Sequence, residues 1–321
     1  MKLAILALDG VFDTGLTVLM DTFSTANELA AMQGFPVPPF DVHVVGVRKR
    51  ISTALGFSLP VEPASALRQA DWVVVPALNA KQPEALTVAL ARPDVRDAIA
   101  HIRRWHDASA TGVAAACIGT FLLAETGLLD DHTATTTWSL APFFRQRYPS
   151  VDLDHSKMLV ASARIVTAGA MMGHLDLALW LVRQASPELA ALVARLMLVD
   201  TRSSQARYVI PDFLANADPL IAKFERWARE RLSLGFSLQD AANALAIGPR
   251  TLQRRTEAVL GKSPLAFFQD LRIERAQHLV SLGRDLESIA TEVGYADAAT
   301  LRTLLRRKLG RGVRELRAEM R

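Results

Sequence analysis

The sequence predicts two domains of different class: an α/β, doubly wound N-terminal domain, then an all-α C-terminal domain carrying two helix-turn-helix units. Three observations carry this. Short apolar, β-branched runs alternate with helical patterns up to about residue 200 and then stop; positive charge gathers beyond that point; and residues 237–321 repeat themselves. A chain of 321 residues, half of them apolar, suffices for two packed cores.

The strands come first. Leu3–Leu8, Phe40–Val47, Trp72–Val75, Gly112–Ala116 and Ile165–Ala168 are apolar on both faces, as strands are when helices cover both sides of a parallel sheet. Amphipathic stretches such as Leu16–Ala30 and Asp97–Ala108 lie between them. From residue 200 the composition turns to Arg, Leu, Ala and Glu at helical spacing, so the boundary falls there: 1–195 as one domain, 196–216 as an ordered linker with Pro211 and no Gly/Ser tether, and 217–321 as the second domain.

The net charge of +4 divides unevenly. Residues 1–200 hold 16 Lys and Arg against 19 Asp and Glu, while residues 201–321 hold 21 against 14. An excess confined to one end is the footprint of a nucleic-acid-binding module, although a solvated basic surface has the same composition. The single Cys117 excludes an intrachain disulfide framework and suits a reducing compartment. Asp9 interrupts the apolar start before a secretory segment forms, and Glu125 and Asp176 interrupt the two most apolar stretches; a cytoplasmic protein with no membrane association is expected.

The repeat is local and specific. Ser237–Leu245 matches Asp285–Val293, and Thr251-Leu252 and Leu260-Gly261 match Thr300-Leu301 and Leu309-Gly310. In the first copy Leu238, Ala241, Ala242 and Leu245 form one helical face whose small alanines admit a second helix closely. A turn at Ala246-Ile247-Gly248 follows, Pro249 opens the next helix, and Leu252, Val259 and Leu260 are its expected buried side. Arg250, Gln253 and Arg254 fall on the opposite face, where Arg suits guanine and Gln suits adenine in a major groove. In the second copy the turn is Gly294-Tyr295, Asp297 caps the helix, and Ala299, Arg302, Thr303 and Arg306 are the corresponding face. Phe236-Ser237-Leu238, Leu252-Gln253-Arg254, Gly261-Lys262-Ser263-Pro264, Leu271-Arg272-Ile273-Glu274-Arg275-Ala276, Ile289-Ala290 and Val293-Gly294-Tyr295 together resemble the AraC/XylS family of transcription regulators. The resemblance covers about a hundred residues and implies double-stranded DNA as partner, with RNA polymerase as a further contact; the chain departs from the family pattern at Leu301 and Val313.

The N-terminal domain holds one feature with chemistry. Gly112–Thr120 reads as strand, sharp turn and helix, the form of a nucleophile elbow, with small neighbours at Ala115 and Gly119 and the Cys117 thiol at a helix start that lowers a thiol's pKa. A small buried residue ending a strand has the same spacing. The stretches around Val73-Val74-Val75-Pro76, Cys117–Asp130, Ala134–Trp138 and Asp176–Leu179 resemble the ThiJ/PfpI branch of the class I glutamine amidotransferase-like superfamily, especially regulators that fuse it to AraC-type helices. This implies a flavodoxin-like sandwich that dimerises and has a pocket around Cys117. Catalytic relatives place a His beside the nucleophile, where this chain has Ile118 and Thr137, and commonly a Gly after the Pro, where it has Ala77, then Leu78. Without an adjacent base the thiol lacks its proton acceptor.

The expected roles follow. Asp13, Ala77, Leu78, Cys117, Ile118, Thr137 and His174 contact a small-molecule effector, with no catalytic residue, no cofactor and no metal site, since His101, His106, His132, His155 and His278 are scattered. An ordinary hydrogen-bonded histidine is the other reading of His174. The function expected is a ligand-responsive, homodimeric transcription regulator; the competing one is a cysteine hydrolase or lyase with a helical tail.

Overall fold

The computed structural model describes residues 1–67, 69–108, 111–200, 202, 204–205, 218–309 and 312–318. The chain divides into two compact units, Met1–Tyr208 and Val209–Arg321. No helix among the described residues is long and apolar enough to cross a membrane.

The first unit is built on a seven-stranded sheet: β1 (Lys2–Leu6), β2 (Asp41–Gly46), β3 (Glu62–Pro63), β4 (Trp72–Val75), β5 (Gly112–Ala116), β6 (Leu159–Ser162) and β7 (Ile165–Ala168), in the order β6-β7-β5-β4-β1-β2-β3. All neighbours pair parallel except β6 with β7. The five strand runs expected from sequence are therefore present. Alternation across each strand feeds two cores: in β1, Ala4 and Leu6 pack on one face and Leu3 and Ile5 on the other. Helices α1 (Asp13–Gln33), α6 (Gly173–Ala185) and α7 (Pro187–Leu196) cover one face. On the other lie α2 (Pro83–Leu90), α3 (Pro93–Ala108), α4 (Gly119–Ala124) and α5 (Ala141–Arg147).

The last described part of this unit is strapped to it. Arg202 pairs with Asp176 at 2.5 Å, Ser204 bridges Lys157, and Gln205 is fully buried, its Nε2 donating to Thr136 O (2.8 Å), Lys157 O (3.1 Å) and the Thr135 hydroxyl (3.2 Å). Gly169 is required here, because a Cβ would collide with the Gln205 amide.

The second unit is helical: α8 (Pro219–Arg229), α9 (Leu238–Ala244), α10 (Pro249–Leu260), α11 (Pro264–Ser281), α12 (Leu286–Glu292), α13 (Ala298–Leu309) and α14 (Val313–Ala318). Caps set its boundaries. Asp218 accepts from Leu220 N and Ile221 N, Ser237 from Asp240 N, Ser263 from Ala266 N and Asp285 from Glu287 N and Ser288 N, each satisfying amides that a helix start leaves open. Pro stands at the first turn of α8, α10 and α11, where its missing N–H costs nothing.

Candidate functional site

Helices α9 and α10 make the first helix-turn-helix. The turn reverses through Ala246 in the left-handed region (φ +54°), and Gly261 ends α10 likewise (φ +67°). Leu252, Thr256 and Leu260 are buried under α10. Val259, expected there, is only half-buried: from Leu252 the inward row continues at steps of four, and the Thr256 hydroxyl avoids an unpaired burial by donating to Leu252 O at 2.8 Å. Helices α12 and α13 repeat the unit. Gly294 (φ +77°) makes the turn, Asp297 accepts from Thr300 N at 2.7 Å, and Leu301 and Leu305 are wholly buried.

This packing turns the other faces outward. Arg250 and Arg254 on α10 are exposed with Gln253 half-exposed beside them, and Ala299, Arg302, Thr303 and Arg306 on α13 are exposed along one stripe at i, i+3, i+4 and i+7. A depression of about 370 Å³ joins Leu238, Pro249, Arg250, Gln253, Arg254 and Glu257, and one of about 780 Å³ includes Arg302, Thr303, Arg306, Arg307 and Arg314. The Gln253 amide donates to the Glu257 carboxylate, which orients it.

Other basic side chains of the unit are tied internally: Arg255 to Asp218 (2.5 Å), Arg229 to Glu225 and Glu274 (2.6 and 2.7 Å), Arg275 to Glu292 (2.7 Å), and Lys262 and Lys308 to the two oxygens of Asp270 (2.8 and 3.0 Å). Arg250, Arg254, Arg302 and Arg306 make no ion pair or hydrogen bond with another described residue. Their guanidinium donors are thus available to an external anion or base edge.

The elbow in the first unit is geometrically present, with its thiol buried. Cys117 has φ +56°, a strained conformation for a residue with a Cβ. It is held by Cys117 N donating to Ala168 O (2.8 Å) and by the Thr136 hydroxyl donating to Cys117 O (2.7 Å). Gly119 lets the turn lie against β4, since a Cβ there would collide with Val75 O. The thiol is buried, and burial pushes its pKa up to about 11 although the Ile118 N–H, the Thr137 hydroxyl and Lys81 all favour the thiolate. The expected lowering by a helix start is overturned: α4 has six residues, and desolvation outweighs what so short a helix supplies.

The remaining expected ligand contacts are turned inward. Ala77, Leu78 and Ile118 are under 5% exposed and Thr137 is 7% exposed. His174 is fully buried, with Nδ1–H donating to Met171 O (2.7 Å) and Nε2 accepting the Ala77 N–H (3.1 Å). Burial lowers its pKa to about 4, so it is neutral near pH 7. The imidazole also fills the space above Gly15, whose Cβ would lie 2.7 Å from it. His174 therefore braces α1, α6 and the segment after β4, and it takes up the Ala77 N–H. Asp13 gives one oxygen to Leu55 N (3.0 Å); its other is buried without a hydrogen-bond partner among the described residues. Among these residues no cluster of three or more His, Cys, Asp or Glu is arranged to hold a metal ion. Gln205, which sequence places in the linker, lies behind this site through Thr135 and Thr136; nothing local to it signals that contact.

Residues 241–319 match a family model described as a helix-turn-helix domain. The HTH-type transcriptional regulator ArgR of Pseudomonas aeruginosa is 25% identical over 218 residues, covering 66% of this chain and 66% of that protein. A putative AraC-like transcription regulator of Streptomyces lividans is 30% identical over 131 residues, covering 39% of this chain and 43% of the relative. The chain thus matches less than two thirds of the length of each. A crystal structure of a putative transcriptional regulator protein from Vibrio parahaemolyticus, 18% identical, superposes with a TM-score of 0.52, covering 61% of this chain and 98% of its own, and so shares the fold. Residues 241–319 thus carry a helix-turn-helix domain, and the relatives it resembles are named as transcription regulators.

Proposed function

We propose that this homologue of AraC-type regulators reads two half-sites of double-stranded DNA with α10 and α13 and is governed by a small metabolite held in its N-terminal unit. The observation that carries the reading is the set of four exposed arginines, Arg250, Arg254, Arg302 and Arg306, which pair with no other described residue, on two helices of matching design. In this reading residues 1–195 sense and pair as a homodimer, 196–216 connect, and 217–321 bind DNA in the cytoplasm, where RNA polymerase is the further partner.

The N-terminal unit works as a sensor and not as a hydrolase. A thiol with a pKa near 11 is almost wholly protonated at neutral pH, Ile118 and Thr137 supply no base, and the Ala77 N–H is already taken. Effector entry therefore requires side chains around Cys117 to move, because the chain itself covers them.

The test is selection of duplexes from a random-sequence library by the intact protein at low salt. Enrichment of a bipartite sequence is expected. Recovery of unenriched DNA would overturn the reading.

A further inference from the structure

We infer that Arg272, inside α11, is a positioning residue that fixes the two recognition helices relative to each other and so sets the half-site separation the protein accepts. The inference rests on the DNA-reading role proposed above and concerns the geometry of that reading.

Arg272 is the one arginine of the second unit that is buried among the described residues, at 7% exposure, and it faces no carboxylate there. Its guanidinium lies 4.8 Å from the ring centre of Phe268 and 5.2 Å from that of Tyr295, between the two faces. Its Nε donates to Leu232 O at 2.9 Å, in the segment between α8 and α9. Gly294, the turn of the second unit, gives up its Cβ to this group: a methyl there would collide with Nη2 and lie 2.5 Å from Leu232 O. Tyr295, whose ring closes the stack, is fixed through its hydroxyl to Gln269 on α11 at 2.7 Å.

One planar cation thus joins three places far apart in sequence: the approach to the first unit, the helix between the units, and the turn of the second. Close packing of the stack against all three couples their orientations. Asp270, its neighbour but one, adds a second tie by holding Lys262 after α10 and Lys308 on α13. Neither Arg272 nor Asp270 is on a recognition face. Two modules joined this way bind together at one separation, and lose the roughly 10²–10⁴-fold gain of linkage where the geometry forbids both.

The experiment uses the intact protein and duplexes selected from a random-sequence library by wild type. In these duplexes the distance between half-sites is changed by single base pairs. Wild type should lose about tenfold or more per step. Arg272→Met, which keeps the stem and removes the fork, should bind each half-site as before yet lose its dependence on separation, to within about threefold across the same series. Arg272→Lys, retaining charge without the planar stack, and Gly294→Ala, pushing on Arg272 with no change to either recognition face, should shift the same way; they keep the test decisive if Arg272→Met does not fold. Circular dichroism and melting confirm which variants are folded. Folded Arg272→Lys and Gly294→Ala proteins that keep the wild-type separation preference would overturn the proposal. A wild-type protein that selects no sequence would instead overturn DNA reading itself.

Discussion

The two candidate sites of this chain treat their polar groups in opposite ways. Around the elbow, His174, Thr136 and Gln205 are spent on the backbone, and the thiol is buried and protonated. On α10 and α13 the arginines are spread across an exposed stripe and bond to no described residue, while their neighbours Arg255 and Lys308 hold the scaffold. Both patterns come from residues with chemistry; only the second leaves that chemistry free. Identity of residue is therefore a weaker guide to function than the pairing that remains available.

If the exposed arginines meet phosphates, affinity of the intact protein for DNA should fall by on the order of 10³ between about 50 and 200 mM salt, measured by fluorescence anisotropy; a flat response would remove the electrostatic half of the contrast.

Next in size is His174. Its pKa is about 4 in the fold against 6.5 ordinarily, so on acidification the unfolded chain takes up the proton first. Its contribution is complete above about pH 6.5 and is lost between there and about pH 4, roughly 3 kcal/mol in all. Urea unfolding of wild type and His174→Gln across that range should show the variant with the shallower dependence, and parallel curves would mean the imidazole is not held neutral.

Arg254→Ala should cost about 1–3 kcal/mol on a selected duplex and less on random DNA, as base-edge contacts do. Equal losses on both would reassign it to phosphate. The smallest effect is expected at Cys117: Cys117→Ser should leave DNA binding unchanged, and the wild-type thiol should resist iodoacetamide at pH 8, where an ordinary cysteine reacts. Rapid alkylation at that pH would reopen the catalytic reading.

How much of this was legible depends on the range of the interactions. The helix-turn-helix units could be read because their signals, alanine spacing, Pro249 and Asp297, act within a few residues. The central strands could be read because burial on both faces makes them continuously apolar. Strand β6 at Leu159–Ser162 was missed, since a short antiparallel edge strand ending in Ser carries no such run. The bond from Ala77 to His174 spans 97 positions and the buried amide of Gln205 reaches Thr135 across 70, so neither leaves a local pattern. The elbow's shape was legible from Gly119 and the strand before it; the ionisation of its thiol was not, because desolvation belongs to the whole fold.

The hydrogen bond between Ala77 and His174 also bears on how this scaffold could be re-engineered. Installing a histidine at Thr137 or Ile118 supplies a base and leaves the Ala77 amide occupied by Nε2 of His174. Replacing His174 first frees that amide but leaves Met171 O without its partner and empties the space against Gly15 and Phe12. The two changes therefore act on different parts of one contact network. A library that pairs position 174 with position 118 or 137 searches combinations that single substitutions leave untried.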